Sequence, residues 1–270
     1  KGDDYRPFNI GNPVYLNPKN SMELIVNSNK KKLSVDVVSG IENLKTRVHL
    51  KVPEGIKVQP EFYDVELSTK GERKTFDFNI SLPNEKKLIS EVYYEADING
   101  NFYSRALENI IYDHITPQTR FPKSDVSLIK FDINFKANKI AYLMGSGDKV
   151  PESLSLVGYE VDLLEKSDIN INKLENYDAL IIGVRAFNSD KSLYNIKSQI
   201  TEYMNGGGNV IVQYNTSRNI DVNKFAPYPF KLSRNRVSQE DAKVEIINKN
   251  HEVLNYPNKI KLEDFDGWVQ

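Results

Sequence analysis

The stretch YDALIIGV, residues 177–184, contains a continuous run of apolar residues. Such a run is typical of a strand in a parallel sheet that is covered on both faces. Three further segments, at residues 139–144, 159–164 and 209–214, are predicted to be strands of the same sheet. The second half of the chain is therefore predicted to be built around four parallel strands.

Helical segments lie between these predicted strands. Pro151 predicts the beginning of a helix, because the missing amide hydrogen of proline costs nothing in the first turn. We expect this helix to end at Gly158, and residues 190–204 to form another helix whose apolar side chains share one stripe. The alternation predicts an open, doubly wound, flavodoxin-like sheet over residues 138–270.

The first half of the chain has short strand-like segments separated by turn signals. Asn99-Gly100-Asn101 is a hairpin signal, and Thr75–Ile80 alternates apolar with polar residues. One predicted strand runs from Phe102 to Tyr112. About seven such strands predict an immunoglobulin-like antiparallel β-sandwich over residues 1–120. Residues 121–137 are predicted to be a linker with one strand.

Composition excludes several classes of protein. The 36 Lys and Arg residues balance 37 Asp and Glu residues, so we expect no nucleic-acid partner. Cysteine is absent, which excludes disulfides and thiol catalysis. No apolar run approaches the roughly 20 residues of a transmembrane helix, so we expect no membrane span. The absent initiator methionine and the strand-like end predict a fragment whose α/β domain is incomplete at its C-terminus.

Several sequence blocks in the second half carry a resemblance to a known family. The blocks are residues 145–148, 150–151, 157–161, 177–178, 183–188, 207–215, 227–230, 233–234 and 264–270. Together they resemble the C-terminal region of large PIG-L/LmbE-type deacetylases of Bacteroidetes-like bacteria. In that family the α/β region is similar to class I glutamine amidotransferase-like and ThuA-like domains. The first half resembles the immunoglobulin-like module found beside sugar-binding domains.

The resemblance implies that this chain is not itself an enzyme. Deacetylase chemistry in the family belongs to a separate N-terminal domain with a His-Pro-Asp-Asp zinc motif, which this sequence lacks. His49, His114 and His251 are isolated, without the spacing of paired metal ligands. We therefore expect no cofactor or metal in this chain, whereas the resemblance implies zinc in the catalytic domain of the parent protein.

The resemblance also implies partners. They are the parent's own N-terminal catalytic domain, glycan, and a second copy of the chain in a homo-oligomer. A periplasmic or secreted location agrees with the family, and the sequence does not decide it.

Polar residues at the ends of the predicted strands form a candidate ligand-binding crevice. The carboxyl ends of parallel strands open on one edge of a sheet, where such folds bind ligands. The candidate residues are Asp148, Arg185, Asn188, Gln213 and Asn215. In the structural alternative, Arg185 pairs with Asp148 or caps a helix, and the amide side chains satisfy the backbone of loops.

Aromatic residues in the final third form a second candidate set. Tyr228, Phe230 and Trp268 are candidates for stacking on sugar rings, with Arg234 and Arg236 nearby. The alternative is packing between loops and the sheet.

Three functions are open at this point. The first, which the resemblance implies, is a non-catalytic accessory region of a PIG-L/LmbE-type N-acetyl-sugar deacetylase that positions or binds glycan or mediates assembly. The second is a degenerate amidotransferase-like enzyme that uses the crevice, although the expected cysteine position is occupied by Gln213, Tyr214 and Asn215. The third is a purely structural dimerisation module.

Overall fold

The chain is rich in β-sheet and divides into two compact units, Lys1–Asp132 and Ile133–Gln270. The structure is a computed structural model that describes residues 10–267. A β-rich, multi-domain fold, predicted from the sequence, is confirmed. Within the described range, no helix is both long and apolar enough to cross a membrane.

The described part of the first unit consists of strands and connecting turns. Its strands are β1 (Val14–Pro18), β2 (Met22–Val26), β3 (Lys30–Ser39), β4 (Leu44–Lys51), β5 (Lys57–Gln59), β6 (Phe62–Leu67), β7 (Arg73–Ser81), β8 (Lys87–Ile98), β9 (Asn101–Tyr103), β10 (Glu108–Ile110), β11 (Gln118–Arg120) and β12 (Asp125–Phe131).

Two large sheets organise the first unit. One has the strand order β1-β3-β7-β5, and the other has the order β2-β12-β8-β4-β6 with β9 paired to β8. Strands β10 and β11 form a separate ribbon. The pair β2 and β12 is parallel, whereas the other pairs in these sheets are antiparallel. The strand predicted within residues 121–137 is β12, which lies inside the second sheet.

Alternation of side chains builds one core in this unit. In β4, Leu44 and Val48 are buried while Arg47 is exposed, because successive side chains of a strand point to opposite faces. Phe78 of β7 and Tyr94 of β8 are fully buried in the same cluster. Removal of these apolar surfaces from water is the main stabilising contribution to such a core.

The hairpin predicted at Asn99-Gly100 is confirmed. It joins β8 to β9, and both residues have positive φ, 51° and 84°, as a type I′ turn requires. The predicted strand from Phe102 to Tyr112 is wrong, since β9 ends at Tyr103 and β10 begins at Glu108. The backbone between them forms hydrogen bonds outside the β8 ladder. The carbonyl of Arg105, for example, accepts a hydrogen bond from Leu16 N at 2.9 Å.

The second unit alternates strands with helices. Its elements are β13 (Lys139–Leu143), α1 (Val150–Val157), β14 (Glu160–Leu164), α2 (Ile171–Leu174), β15 (Ala179–Ile182), α3 (Ala186–Ser189), α4 (Lys197–Asn205), β16 (Asn209–Val212) and α5 (Glu252–Asn255), with 3-10 turns at Lys166–Asp168, Lys191–Ile196, Val222–Lys224 and Leu262–Phe265.

The four strands form one parallel sheet in the order β14-β13-β15-β16. Its two faces are covered by different helices. Ile140 and Tyr142 pack with Leu154 of α1, whereas Ala141 packs with a cluster that includes Ile200 of α4. The alternating residues of β13 therefore serve two separate layers of core.

The helix predicted over residues 190–204 is only partly correct. A 3-10 segment occupies Lys191–Ile196, and the α-helix runs over Lys197–Asn205. The Asp190 side chain accepts a hydrogen bond from Ser192 N and begins the tighter turn. The short helices α2 and α3 carry too little periodic pattern to be predicted from sequence.

Candidate functional site

The loops after β13, β15 and β16 meet at the carboxyl edge of the parallel sheet. Ser146 N donates to the carbonyl of Val184 at 2.9 Å, and Arg185 N donates to the carbonyl of Tyr214 at 2.7 Å. Gly145 permits this approach, because a Cβ at that position would lie 2.1 Å from the Val184 oxygen. Three separate loops thus form one edge, as expected for a parallel sheet.

Asp148 and Gln213 are brought together through Tyr142. The Tyr142 hydroxyl donates to the Asp148 carboxylate at 2.8 Å and accepts from Gln213 Nε2 at 3.1 Å. Burial, together with the Asp148 carboxylate, raises the pKa of Tyr142 well above its ordinary value. Asp148 also accepts from Val150 N at 2.9 Å at the beginning of α1. The described partners of Asp148 are therefore Tyr142 and Val150, and Arg185 is not among them.

Asn188 holds the loop that follows β16. Its Nδ2 donates to the carbonyls of Thr216 and Arg218 at 3.2 and 3.1 Å, and its Oδ1 accepts from Thr216 N at 2.8 Å. These contacts match the structural alternative considered for the amide residues. Arg185 is exposed, with its guanidinium 6.0 Å from the centre of the Tyr214 ring.

A cavity of about 840 Å³ lies beside β16. Its apolar wall comes from β16, α4 and a neighbouring aromatic pair: Val210, Val212, Ile200, Met204, Phe187 and Phe225. Its polar wall comes from the segments after β16: Gln213, Asn215, Thr216, Ser217, Arg218, Ser233, Arg234, Asn235 and Arg236. Ligand pockets in proteins have volumes of about 300–1,000 Å³, and this cavity falls within that range.

Asn215 is the buried polar residue of this cavity. Its side chain is 7% exposed, and Nδ2 donates to the carbonyl of Gln213 at 2.9 Å. Its Oδ1 has no hydrogen-bond partner within residues 10–267. A buried acceptor without a donor costs about 1–3 kcal/mol of stability.

The charge at the cavity is positive. Arg218, Arg234 and Arg236 line it, and none of its lining residues is Asp or Glu. All three arginines are exposed to solvent at the wall of the cavity.

The candidate stacking residues separate in the structure. Phe230 lines the cavity, is 52% exposed, and packs edge-on against Phe225 with ring centres 6.3 Å apart. Tyr228 is 79% exposed and is not among the cavity residues. Trp268 lies outside the described residues.

Of the predicted crevice residues, Gln213 and Asn215 line the cavity, whereas Asp148, Arg185 and Asn188 do not. Arg218 was missed by sequence reasoning. The available signal was its position three residues after Asn215 in the loop that follows a predicted strand. In the described part of the chain, no group of three or more His, Asp or Glu side chains is arranged to hold a metal ion.

Comparison with known proteins adds no functional assignment. No family model matches the chain, and no curated protein matches it. Trypsin-activated alpha-2-macroglobulin from Escherichia coli aligns at 14% identity and a TM-score of 0.30, over 48% of this chain and 8% of that one. The Calx CBD1 domain aligns at 5% identity and a TM-score of 0.27, over 46% of this chain and 100% of that domain.

A protein of unknown function from Porphyromonas gingivalis W83 aligns at 11% identity and a TM-score of 0.27, over 51% of this chain and 61% of that one. At these scores the similarities carry no inference about the fold or function of this chain.

Proposed function

We propose that this chain is a non-catalytic, glycan-binding accessory region of a larger PIG-L/LmbE-type N-acetyl-sugar deacetylase. The observation that carries the binding role is Asn215, a buried amide whose Oδ1 has no partner within the described range, in the wall of a ligand-sized cavity. The link to a deacetylase rests on the sequence resemblance.

We propose that the first unit is an immunoglobulin-like sandwich, supported by two sheets that share one core. We propose that the second is flavodoxin-like. The order β14-β13-β15-β16 supports this description, because an open parallel sheet covered by helices on both faces is the arrangement of doubly wound folds.

The chemistry of the cavity suits a sugar. A glycan presents hydroxyl and N-acetyl N–H donors, and one such donor would satisfy Asn215 Oδ1. The exposed part of the Phe230 ring offers an apolar face on which the C–H face of a sugar ring can pack. The guanidinium groups of the arginines donate to sugar oxygens.

The same edge favours a non-catalytic role. An amidotransferase-like domain would carry its nucleophile after β16, where this chain has Gln213, Tyr214 and Asn215. Gln213 Nε2 is engaged by Tyr142, and the Asn215 amide by the Gln213 carbonyl. None of these three side chains is an activated nucleophile of the kind that acyl transfer requires.

Calorimetric titration with a chitin hexasaccharide tests the binding role. We expect saturable binding to the full 270-residue chain, and loss of that binding in Asn215→Leu, which removes the acceptor while it conserves volume. Asn195→Leu is the matched control, since Asn195 is exposed and does not line the cavity. Equal binding by both variants, or no binding by the unmodified chain, would contradict the proposal.

Assembly with a second copy is the other function that an observation favours. Leu24 of β2, Ile129 of β12 and Ile89 of β8 are neighbours on the outer face of the larger sheet of the first unit. Ile89 is 68% exposed. Contiguous apolar surface of this kind often marks an interface between proteins. Light scattering should detect a dimer that Ile89→Lys dissociates, and a monomer at all concentrations would exclude this function.

A further inference from the structure

We infer that the ligand of the cavity is an acidic glycan, one that carries a carboxylate on the sugar, rather than a neutral one. This inference rests on the proposed glycan-binding function and names the class of glycan. It follows from the joint presence of an uncompensated positive wall, an apolar wall and a buried acceptor.

The positive wall is the first step. Arg218, Arg234 and Arg236 come from two separate segments of the chain and line one cavity. The chain as a whole is nearly neutral, with a formal net charge of -1, yet no carboxylate from residues 10–267 lines this cavity. Guanidinium groups bind carboxylates through paired, charge-assisted hydrogen bonds, which makes an anionic ligand their natural partner.

The apolar wall is the second step. Val212, Met204 and Phe225 face the same space as the arginines, and Phe230 adds an exposed ring. A small inorganic anion would leave this surface uncovered. A ligand that combines a charged group with a ring of partly apolar character would use both walls.

The buried acceptor is the third step. Asn215 Oδ1 requires a hydrogen-bond donor, which a fully ionised carboxylate or sulfate group does not provide. Hydroxyl and N-acetyl N–H groups next to a carboxylate meet all three requirements in one molecule. A glycan that contains uronic acid and N-acetylated sugar has this chemistry.

A matched pair of oligosaccharides tests the inference. Hyaluronan hexasaccharide alternates a uronic acid with N-acetylglucosamine, whereas chitin hexasaccharide contains N-acetylglucosamine alone. We expect the full chain to bind hyaluronan about tenfold or more tightly than chitin at low salt, because charge-assisted contacts are added. Raising the salt from about 0.05 to about 0.5 M should reduce this preference, because exposed charges are screened.

The variant Arg234→Gln/Arg236→Gln should lose about tenfold or more in hyaluronan affinity and little in chitin affinity. Arg47→Gln/Arg120→Gln removes the same number of exposed arginines from the first unit and should leave both affinities unchanged. Equal, salt-independent affinities for the two sugars would overturn the inference and leave glycan binding intact. Absence of binding to both sugars would overturn the proposed function itself, and the inference with it.

Discussion

Two buried tyrosine hydroxyls should respond in opposite directions when each is removed. Tyr94 is fully buried in the first unit, and its Oη has no hydrogen-bond partner among residues 10–267. Tyr142 is equally buried in the second unit, but its hydroxyl donates to Asp148 and accepts from Gln213. Tyr94→Phe should therefore stabilise the chain, whereas Tyr142→Phe should destabilise it.

The magnitudes follow from these contacts. A buried polar group without a partner costs about 1–3 kcal/mol, so Tyr94→Phe should increase the free energy of unfolding by about 1 kcal/mol or more. A hydrogen bond to a charged group contributes about 1.5–3 kcal/mol and a neutral one about 0.5–1.5 kcal/mol. Asp148 and Gln213 are only half-buried and can bind water instead. We therefore expect Tyr142→Phe to cost about 2–3 kcal/mol.

Urea unfolding followed by far-ultraviolet circular dichroism measures both effects. The two units are fitted as separate transitions, because a chain with two compact units need not unfold in one step. An unchanged slope with a shifted midpoint identifies a change of stability. Destabilisation of the first transition by Tyr94→Phe, or an unchanged second transition in Tyr142→Phe, would refute the reasoning.

Three further predictions concern the backbone and two ionisable groups. Gly145→Ala should destabilise the second unit by about 1–3 kcal/mol, since its Cβ would lie 2.1 Å from a backbone oxygen, whereas Gly206→Ala, with 3.4 Å to the nearest atom, should change little. Because the pKa of Tyr142 is raised, its contribution to stability is complete below about pH 10 and falls above it, and Tyr142→Phe should weaken this alkaline dependence. Burial acts to raise the pKa of Asp36, but hydrogen bonds led by that from Lys19 hold it below its usual value. The stability that Asp36 contributes is therefore present above about pH 4 and falls in acid, and Asp36→Asn should flatten the acid limb of a stability profile.

Each of these predictions has a result that would contradict it. Equal unfolding midpoints for Gly145→Ala and Gly206→Ala would show that the loop containing Gly145 can move away from the loop containing Val184 at no cost in stability. If stability decreases at alkaline pH by the same amount in Tyr142→Phe as in the unmodified chain, other tyrosines cause the decrease. If stability falls in acid just as much in Asp36→Asn as in the unmodified chain, the ion pair between Lys19 and Asp36 contributes nothing measurable to stability.

The parallel strands were predictable because their signal is local. The apolar run at residues 177–184 contains β15, and residues 209–214 contain β16, each a little shorter than predicted. β15 is buried at all four positions and therefore has apolar residues at consecutive positions. β16 has the same apolar run, although it lies at the edge of the sheet and three of its four residues are exposed.

The segment from Phe102 to Tyr112 could not be predicted from its own residues. Its aromatic and β-branched content favours a strand, but the backbone between β9 and β10 bonds to Leu16 and, through Ala106, to the carbonyl of Pro122. These partners are distant in sequence, and strand propensity depends on such contacts as much as on the residues themselves.

The candidate site was only half predictable for a similar reason. Ends of parallel strands indicate which loops meet, and two of the five residues predicted on that ground, Gln213 and Asn215, line the cavity. Nothing in the sequence marks Tyr142 as the side chain that engages Asp148, because it lies in an apolar strand and has the pattern of a core residue. Arg218 belongs to no recognisable motif, and only the fold places it beside Arg234 and Arg236.

A crystal structure of the full chain with chitin hexasaccharide would test the glycan-binding role most directly. The account predicts sugar density inside the cavity beside β16, with a hydroxyl or N-acetyl N–H donor within hydrogen-bond distance of Asn215 Oδ1. Sugar bound elsewhere, or a cavity filled by the chain itself with the Asn215 oxygen satisfied internally, would contradict it.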